Sequence, residues 1–155
     1  MPETLASAAM SPEDALQRLD AFVGEWDVAT SLAPDPANAP RARTTFEWLS
    51  GRGFLVQRWE VDLPEAPDGI AIIGLDPEKE GFLQHYFDSR GVARVYEMTF
   101  DGGVWRLERH GSDFSQRFAG TFAADGNTID GAWELSKDDG STWEHDFDLT
   151  YTRLR

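Results

Sequence analysis

Hydrophobic and polar residues alternate with a period of two along most of the chain, which is the pattern of β-strands that bury one face. Clusters of glycine, proline, asparagine and aspartate interrupt the alternation at short intervals. The pattern predicts ten strands, over Glu25–Leu32, Ala42–Leu49, Phe54–Leu63, Ile70–Asp76, Phe82–Asp88, Val92–Phe100, Val104–His110, Phe114–Ala123, Thr128–Ser136 and Thr142–Leu154.

A single helix is predicted before the strands. Ser11 is a favourable N-cap, and Pro12 suits the first helical position. Three apolar residues then share one helical face: Leu16, Leu19 and Val23. We therefore expect a short amphipathic helix that ends at Gly24, a flexible tail over residues 1–10 and one domain over residues 11–155.

The predicted strands are joined by short turns, which indicates an up-and-down antiparallel meander. Asp101-Gly102-Gly103 and Asp125-Gly126-Asn127 supply residues that tolerate the positive φ of tight hairpin turns. An open meander would leave two exposed edge strands, whereas closure pairs the first strand with the last. The predicted fold is an all-β, ten-stranded, closed up-and-down β-barrel.

Side-chain alternation agrees on one apolar face across successive hairpins in the second half of the chain. The opposite face of the last strand carries acidic and hydroxyl side chains, so it faces solvent. The predicted inward residues of this strand are Trp143, His145, Phe147, Leu149, Tyr151 and Arg153. In the first half, the turn at Gly51–Gly53 leaves the register open.

Two features resemble the calycin superfamily, which includes lipocalins and fatty-acid-binding proteins. Gly24-Glu25-Trp26 opens the first strand after a short helix, and Arg153 lies on the inward face at the end of the last. The resemblance implies that Trp26 closes one end of the barrel and that Arg153 packs over its ring as a cation–π contact. The stretch from Phe114 to Arg153 also resembles a group of small, uncharacterised bacterial calycin-like domains.

The chain departs from both calycin types in ways that leave its ligand open. Lipocalins carry a helix after their eight strands, and none is predicted here. Ten strands are closer to the fatty-acid-binding type, but that type has a helix pair between its first two strands, where this chain has only Ala33–Arg41. One fold hosts many functions, so the resemblance implies the barrel and not the occupant.

Composition narrows the range of partners. The chain has 28 acidic and 14 basic residues and a formal net charge of −14, which disfavours nucleic acid and anionic membrane surfaces. It has no cysteine, so disulfides, thiolate catalysis and cysteine metal sites are excluded. The N-terminus lacks the features of a secretory signal, and a cytoplasmic location is expected. The sequence does not indicate an oligomeric state.

Polar residues on the inward face are the candidates for ligand binding, because a polar group inside an apolar barrel requires a partner. Tyr86, Arg94, Arg109, Gln116 and His145 are predicted near the mouth, with Gln84 and Tyr96 deeper. An arginine with a tyrosine would hold an acidic group of a hydrophobic ligand, although the set could equally form an internal network with water. The bulged turn at Asp88–Gly91 favours Tyr86 over His85 as the inward residue.

The proline-rich segments at residues 33–40 and 64–69 are predicted at the same mouth, either as lids or as plain connectors. The main hypothesis is a binding protein for a small, largely hydrophobic molecule with a polar or acidic group. A cofactor-free enzyme of the isomerase, cyclase or lyase type, using His145, is the alternative.

The sequence allows two further interpretations of the barrel interior. A likeness to nitrobindins, small barrels that bind haem through a late histidine, raises haem binding by His145, although Asp27-Val28-Ala29 differs from their glycine-rich continuation. A barrel packed solid by its 19 aromatic side chains is the other. The three histidines lie on separate strands, so no metal site is predicted, and no cofactor is otherwise expected.

Overall fold

The alternating pattern folds into ten antiparallel strands that close into a barrel. A computed structural model describes residues 11–32, 42–63 and 66–155. The strands are β1 (Gly24–Thr30), β2 (Ala42–Trp48), β3 (Leu55–Val61), β4 (Gly69–Leu75), β5 (Phe82–Asp88), β6 (Ala93–Asp101), β7 (Val104–His110), β8 (Ser115–Phe122), β9 (Thr128–Ser136) and β10 (Glu144–Arg153). Each pairs with its sequence neighbours, and β1 also pairs with β10.

The predicted closed meander is therefore confirmed, with strand ends that move by one or two residues. The predicted tail over residues 1–10 lies outside the described residues, as do residues 33–41 and 64–65 of the two proline-rich segments. Within the described ranges, no helix has the length and hydropathy needed to cross a membrane.

The helical segment before β1 covers one end of the barrel. Helix α1 (Pro12–Arg18) begins after Ser11, whose Oγ accepts a hydrogen bond from the Asp14 amide at 3.2 Å. A 3₁₀ turn over Leu19–Phe22 follows, and both of its end residues are fully buried. The Phe22 ring lies 4.8–5.1 Å from four aromatic rings of the barrel, those of Phe46, Phe100, Trp105 and Phe122.

Trp26 and Arg153 lie together at this closed end, in the arrangement that the calycin resemblance implies. The Arg153 guanidinium carbon is 4.1 Å from the centre of the Trp26 ring. Its Nη1 donates to the Val23 carbonyl at 2.6 Å, and Trp26 Nε1 donates to the Phe22 carbonyl at 2.9 Å. These bonds tie the last strand and the first strand to the helical segment, so the closed end is held by polar as well as apolar contacts.

A β-bulge changes the side-chain alternation near the start of β10. His145 pairs with Glu134 and Phe147 pairs with Trp133, so Asp146 is an extra residue between them. The extra residue moves His145 to the outer face, where its side chain is 57% exposed and its Nε2 lies 2.8 Å from Asp148 Oδ1. The predicted inward orientation of His145 is wrong for this reason.

Trp143 is also outside the barrel, since β10 begins only at Glu144. Its ring packs under the Arg117 guanidinium, at 4.2 Å from ring centre to guanidinium carbon. Arg117 in turn bonds Glu134 on the outer face, with 2.6 Å between Arg117 Nε and Glu134 Oε1. The predicted inward position of Trp143 is wrong, because the segment before β10 folds over the outside of the sheet.

Candidate functional site

The half of the barrel opposite the helical segment holds a cavity of about 630 Å³. Its walls are mostly apolar, and two charged side chains belong to them among the described residues, Arg90 and Arg94. A cavity of this size is typical of small-molecule sites. The packed-solid alternative is therefore wrong.

Aromatic rings form a continuous chain around this cavity. Neighbouring ring centres lie 4.9–6.3 Å apart along the sequence of contacts Trp59–Tyr86–Tyr96–Trp133–Phe118–Trp105–Tyr151. The Trp59 ring has room because Gly69 faces it across the sheet, where a Cβ would lie 2.1 Å from the ring. These rings hold one another in place, so the cavity has firm apolar walls.

Arg94, Tyr96 and Gln116 form a polar group on one wall. Tyr96 donates its hydroxyl to Gln116 Oε1 at 2.8 Å, and Arg94 Nη1 lies 3.5 Å from the same oxygen. The Arg94 guanidinium also lies over the Phe114 ring at 5.3 Å. Burial raises the pKa of Tyr96, with Arg94 opposing the shift, so the hydroxyl stays protonated and can donate.

The mouth carries a second polar group, the mouth clasp, made of Tyr86, Asp88 and Arg90. Tyr86 donates its hydroxyl to Asp88 Oδ2 at 2.6 Å, and Arg90 Nη2 donates to the same oxygen at 2.7 Å. The Asp88 side chain is fully buried, and the hydrogen bond from Arg90 holds its pKa well below the usual range. Burial, together with the Asp88 carboxylate, raises the pKa of Tyr86 to about 12. The clasp fixes Tyr86 against Trp59, where the rings stack.

Five of the seven predicted ligand-binding residues line the cavity: Gln84, Tyr86, Arg94, Tyr96 and Gln116. Tyr86 faces inward and His85 is exposed, as the bulged turn indicated. Arg109 does not line it. Its Nη2 pairs with Asp113 at 3.3 Å, and its guanidinium lies 5.3 Å from the centre of the Phe114 ring, at the rim.

His145 is the second predicted residue that the structure leaves out of the cavity, because of the bulge in β10. No group of three or more histidine, aspartate or glutamate side chains in the described part of the chain could hold a metal ion. Sequence reasoning missed the mouth clasp, since Arg90 belongs to a turn and Asp88 ends a strand. The one available signal was the Asp-Ser-Arg-Gly turn itself.

Comparison with known proteins extends the fold assignment. A family model described as "Protein of unknown function (DUF1579)" matches residues 11–153. A search of curated proteins gave no match.

Three solved structures share the architecture. Rv2717c from M. tuberculosis has 14% sequence identity and a TM-score of 0.60, over 95% of this chain and 100% of that chain. Fatty-acid-binding protein 1 from Echinococcus granulosus has 14% identity and a TM-score of 0.59, over 88% of this chain and 99% of its own. The S-type phycobiliprotein lyase CPES from Guillardia theta has 13% identity and a TM-score of 0.60, over 95% and 99%. The TM-scores show a shared calycin-like fold, and at identities this low the likeness does not extend beyond the fold.

Proposed function

The chain belongs to the family described as Protein of unknown function (DUF1579), and we infer that it binds a small, largely hydrophobic molecule with an acidic group inside the barrel. Two structures of the same fold are named for a fatty-acid-binding protein and a phycobiliprotein lyase, which supports ligand binding in this kind of barrel. The inference for this chain rests on its own cavity.

The observation that carries the proposal is the state of Arg94. It lines an apolar cavity, it is half-buried, and it makes no ion pair with a carboxylate among the described residues. Its one hydrogen bond there, to Gln116, is long at 3.5 Å. By contrast, Arg90 and Arg109 on either side of it each have an aspartate partner. A cation in such a setting gains most from an anionic ligand.

The neighbouring groups fit an acid as well. An acidic group beside Arg94 would also reach Tyr96 and Gln116, since both contact the same point of the wall. Arginine binds carboxylates through two parallel hydrogen bonds, which fixes their orientation. The aromatic chain would then cover the apolar remainder of the molecule and exclude water from it.

The first test measures equilibrium affinity for decanoic acid and for 1-decanol, which differ in the head group. We expect Arg94→Met to weaken binding of the acid by about 10- to 100-fold, because a charge-assisted hydrogen bond is lost. The alcohol should bind the variant and the unchanged protein equally. Arg106→Met is the matched control, since Arg106 is exposed on the outer face. Equal loss of both ligands, or of neither, would contradict the role of Arg94.

The enzyme and haem alternatives both depended on His145, which faces away from the cavity. The described lining contains no histidine, so neither the proton shuttle nor the haem ligation proposed for His145 has support there. We therefore favour binding without chemistry. The cytoplasmic location and the exclusion of nucleic acid stay predictions from the sequence.

A further inference from the structure

Three polar side chains in the deeper part of the cavity have no hydrogen-bond partner among the described residues. Gln84 Oε1 and Trp105 Nε1 are buried without a partner, and the Tyr151 hydroxyl, which also lines the cavity, makes no hydrogen bond to the described residues. Their residues are 5%, 2% and 6% exposed. We call Gln84, Trp105 and Tyr151 the deep polar set.

The deep polar set lies on the closed-end side of Arg94. Arg94 pairs with Tyr86 near the mouth, whereas Gln84 is the next inward residue of β5 toward the closed end. Trp105 is deeper still, since its ring lies 5.0 Å from Phe22 of the helical segment. It also lies 5.8 Å from the Tyr151 ring. The cavity therefore has two separate polar groups, one at Arg94 and the deep polar set near the closed end.

The deep polar set consists of uncharged side chains. No described charged side chain lines this end, because Arg90 and Arg94 both lie toward the mouth and Arg153 lies behind Trp26. Burial raises the pKa of Tyr151, which keeps its hydroxyl protonated. A charged ligand group would be poorly solvated there, whereas a neutral donor and acceptor would find partners.

The pattern of hydrogen-bond donors and acceptors in the deep polar set restricts which ligand group can bind there. Trp105 Nε1 only donates, while the Tyr151 hydroxyl can do either. The Gln84 amide offers an NH₂ group that donates and a carbonyl oxygen that accepts, and a turn of the amide exchanges their positions. A ligand hydroxyl both donates and accepts, so it can pair with either kind of group in the deep polar set. A simple alkyl end would leave them unpaired, which is costly inside an apolar cavity.

We propose that the natural ligand is an acid with a hydroxyl or similar neutral polar group at the far end of its apolar part, held by the deep polar set. The proposal rests on the function inferred above, because it takes Arg94 as the site of the acid. It assigns the ligand class as oxygenated hydrophobic acids, and acids with an unsubstituted chain are then weaker ligands.

The test compares ω-hydroxy acids of eight, ten and twelve carbons with their unsubstituted parent acids by calorimetric titration. We expect the hydroxy acid of matching length to bind about fivefold more tightly than its parent, the gain of one buried hydrogen bond. A hydroxyl buried without a partner would instead weaken binding by about tenfold. The two possibilities therefore differ in sign.

Variants of the deep polar set test whether its side chains cause the tighter binding of the hydroxy acid. Gln84→Met keeps side-chain length and removes the amide, so it should abolish the advantage of the hydroxy acid without weakening binding of the parent acid. Tyr151→Phe should reduce the advantage as well. Gln57→Met is the control: Gln57 lines the same cavity and is also buried, but its Nε2 already donates to Thr44 Oγ1 at 3.2 Å. It should leave the advantage intact.

The outcomes separate the two proposals. The parent acids could bind saturably while every hydroxy acid binds more weakly and Gln84→Met has no effect. That result would overturn the role of the deep polar set and leave the inferred function standing. Absence of saturable binding by any acid in either series would remove both. A hydroxyl advantage that survives Gln84→Met but not Gln57→Met would also overturn the assignment.

Discussion

Asp88 is a carboxylate whose charge is buried at the mouth of the cavity, and two neighbours hold it there. Its side chain is fully buried and accepts hydrogen bonds from Tyr86 and Arg90. We expect Asp88→Asn to lower the free energy of unfolding at neutral pH by about 2 kcal/mol, because it removes charge-assisted bonds while leaving the half-exposed Arg90 free to hydrate. Urea unfolding at equilibrium measures this difference.

The same residue predicts a pH dependence. The folded chain holds the pKa of Asp88 well below that of the unfolded chain, so its ionised form stabilises the fold above about pH 4. That contribution falls as the pH drops toward the folded pKa. The gap between the unchanged protein and Asp88→Asn should therefore narrow from about pH 5 to about pH 3. Glu144→Gln, an exposed carboxylate at the same end, is the control, and a gap that stays constant or widens would argue against the buried charge.

At the scale of single elements, the hairpins explain why so much of the candidate site could be predicted. Each strand buries one face, so the alternation of side chains passes from strand to strand through turns of known length. Arg94, Tyr96 and Gln116 lie within regular stretches, and their inward orientation followed from the sequence.

The same reasoning failed where an element is irregular. The bulge at Asp146 adds one residue to β10 and reverses His145, and no glycine or proline marks that position in the sequence. The mouth clasp was missed for a related reason. Arg90 reaches Asp88 only through the particular bend of a turn, which alternation does not describe. Alternation predicts regular pairing, whereas bulges and turn contacts depend on the bend of the backbone at single residues, which alternation does not encode.

The helical segment is the element that closes the barrel, and Arg153 attaches it. Besides its bond to Val23, Arg153 Nη2 donates to the Ala21 carbonyl at 2.7 Å and the Gly126 carbonyl at 3.2 Å. We expect Arg153→Lys to cost about 2 kcal/mol of stability, since lysine keeps the charge but cannot fork between carbonyls or stack on Trp26.

Hydrogen exchange should localise this loss. Amides of residues 13–22 should exchange faster in Arg153→Lys than in the unchanged protein, because the segment loses one of its attachments while the sheet keeps its own hydrogen bonds. Arg106→Lys makes the same exchange of side chains at an exposed outer position and should change neither quantity. Uniformly faster exchange throughout the barrel would instead mean that Arg153 stabilises the sheet as a whole.

For the whole molecule, the division of the interior into a packed half and a hollow half follows from where aromatic side chains meet. Near the helical segment, Phe22 fills the centre and contacts four rings of the barrel. Farther along, the rings line the wall and no described side chain fills the middle. The sequence could not distinguish a hollow barrel from a filled one, because interior volume depends on the tilt and stagger of all ten strands together.

The hollow half supplies a prediction for the whole molecule. A ligand that binds only the folded chain stabilises it by mass action, by about 2.7 kcal/mol at one hundred times its Kd. For a chain of this size, decanoic acid at that concentration should raise Tm by about 5–10 °C. Leu149 lines the cavity, so a larger ring at this position would project into the empty volume. Leu149→Trp should therefore occupy the cavity, keep the Tm of the unliganded protein and abolish the ligand-dependent rise.

Thr152→Trp places the same ring on the outer face of the same strand, since Thr152 is exposed, and it should keep the full rise in Tm. If both variants kept the rise, decanoic acid would be stabilising the protein from its surface, and the cavity would have to be given up as the binding site. If only Leu149→Trp lost the rise while its unliganded Tm held, the introduced ring and the ligand would be shown to compete for the same space inside the barrel.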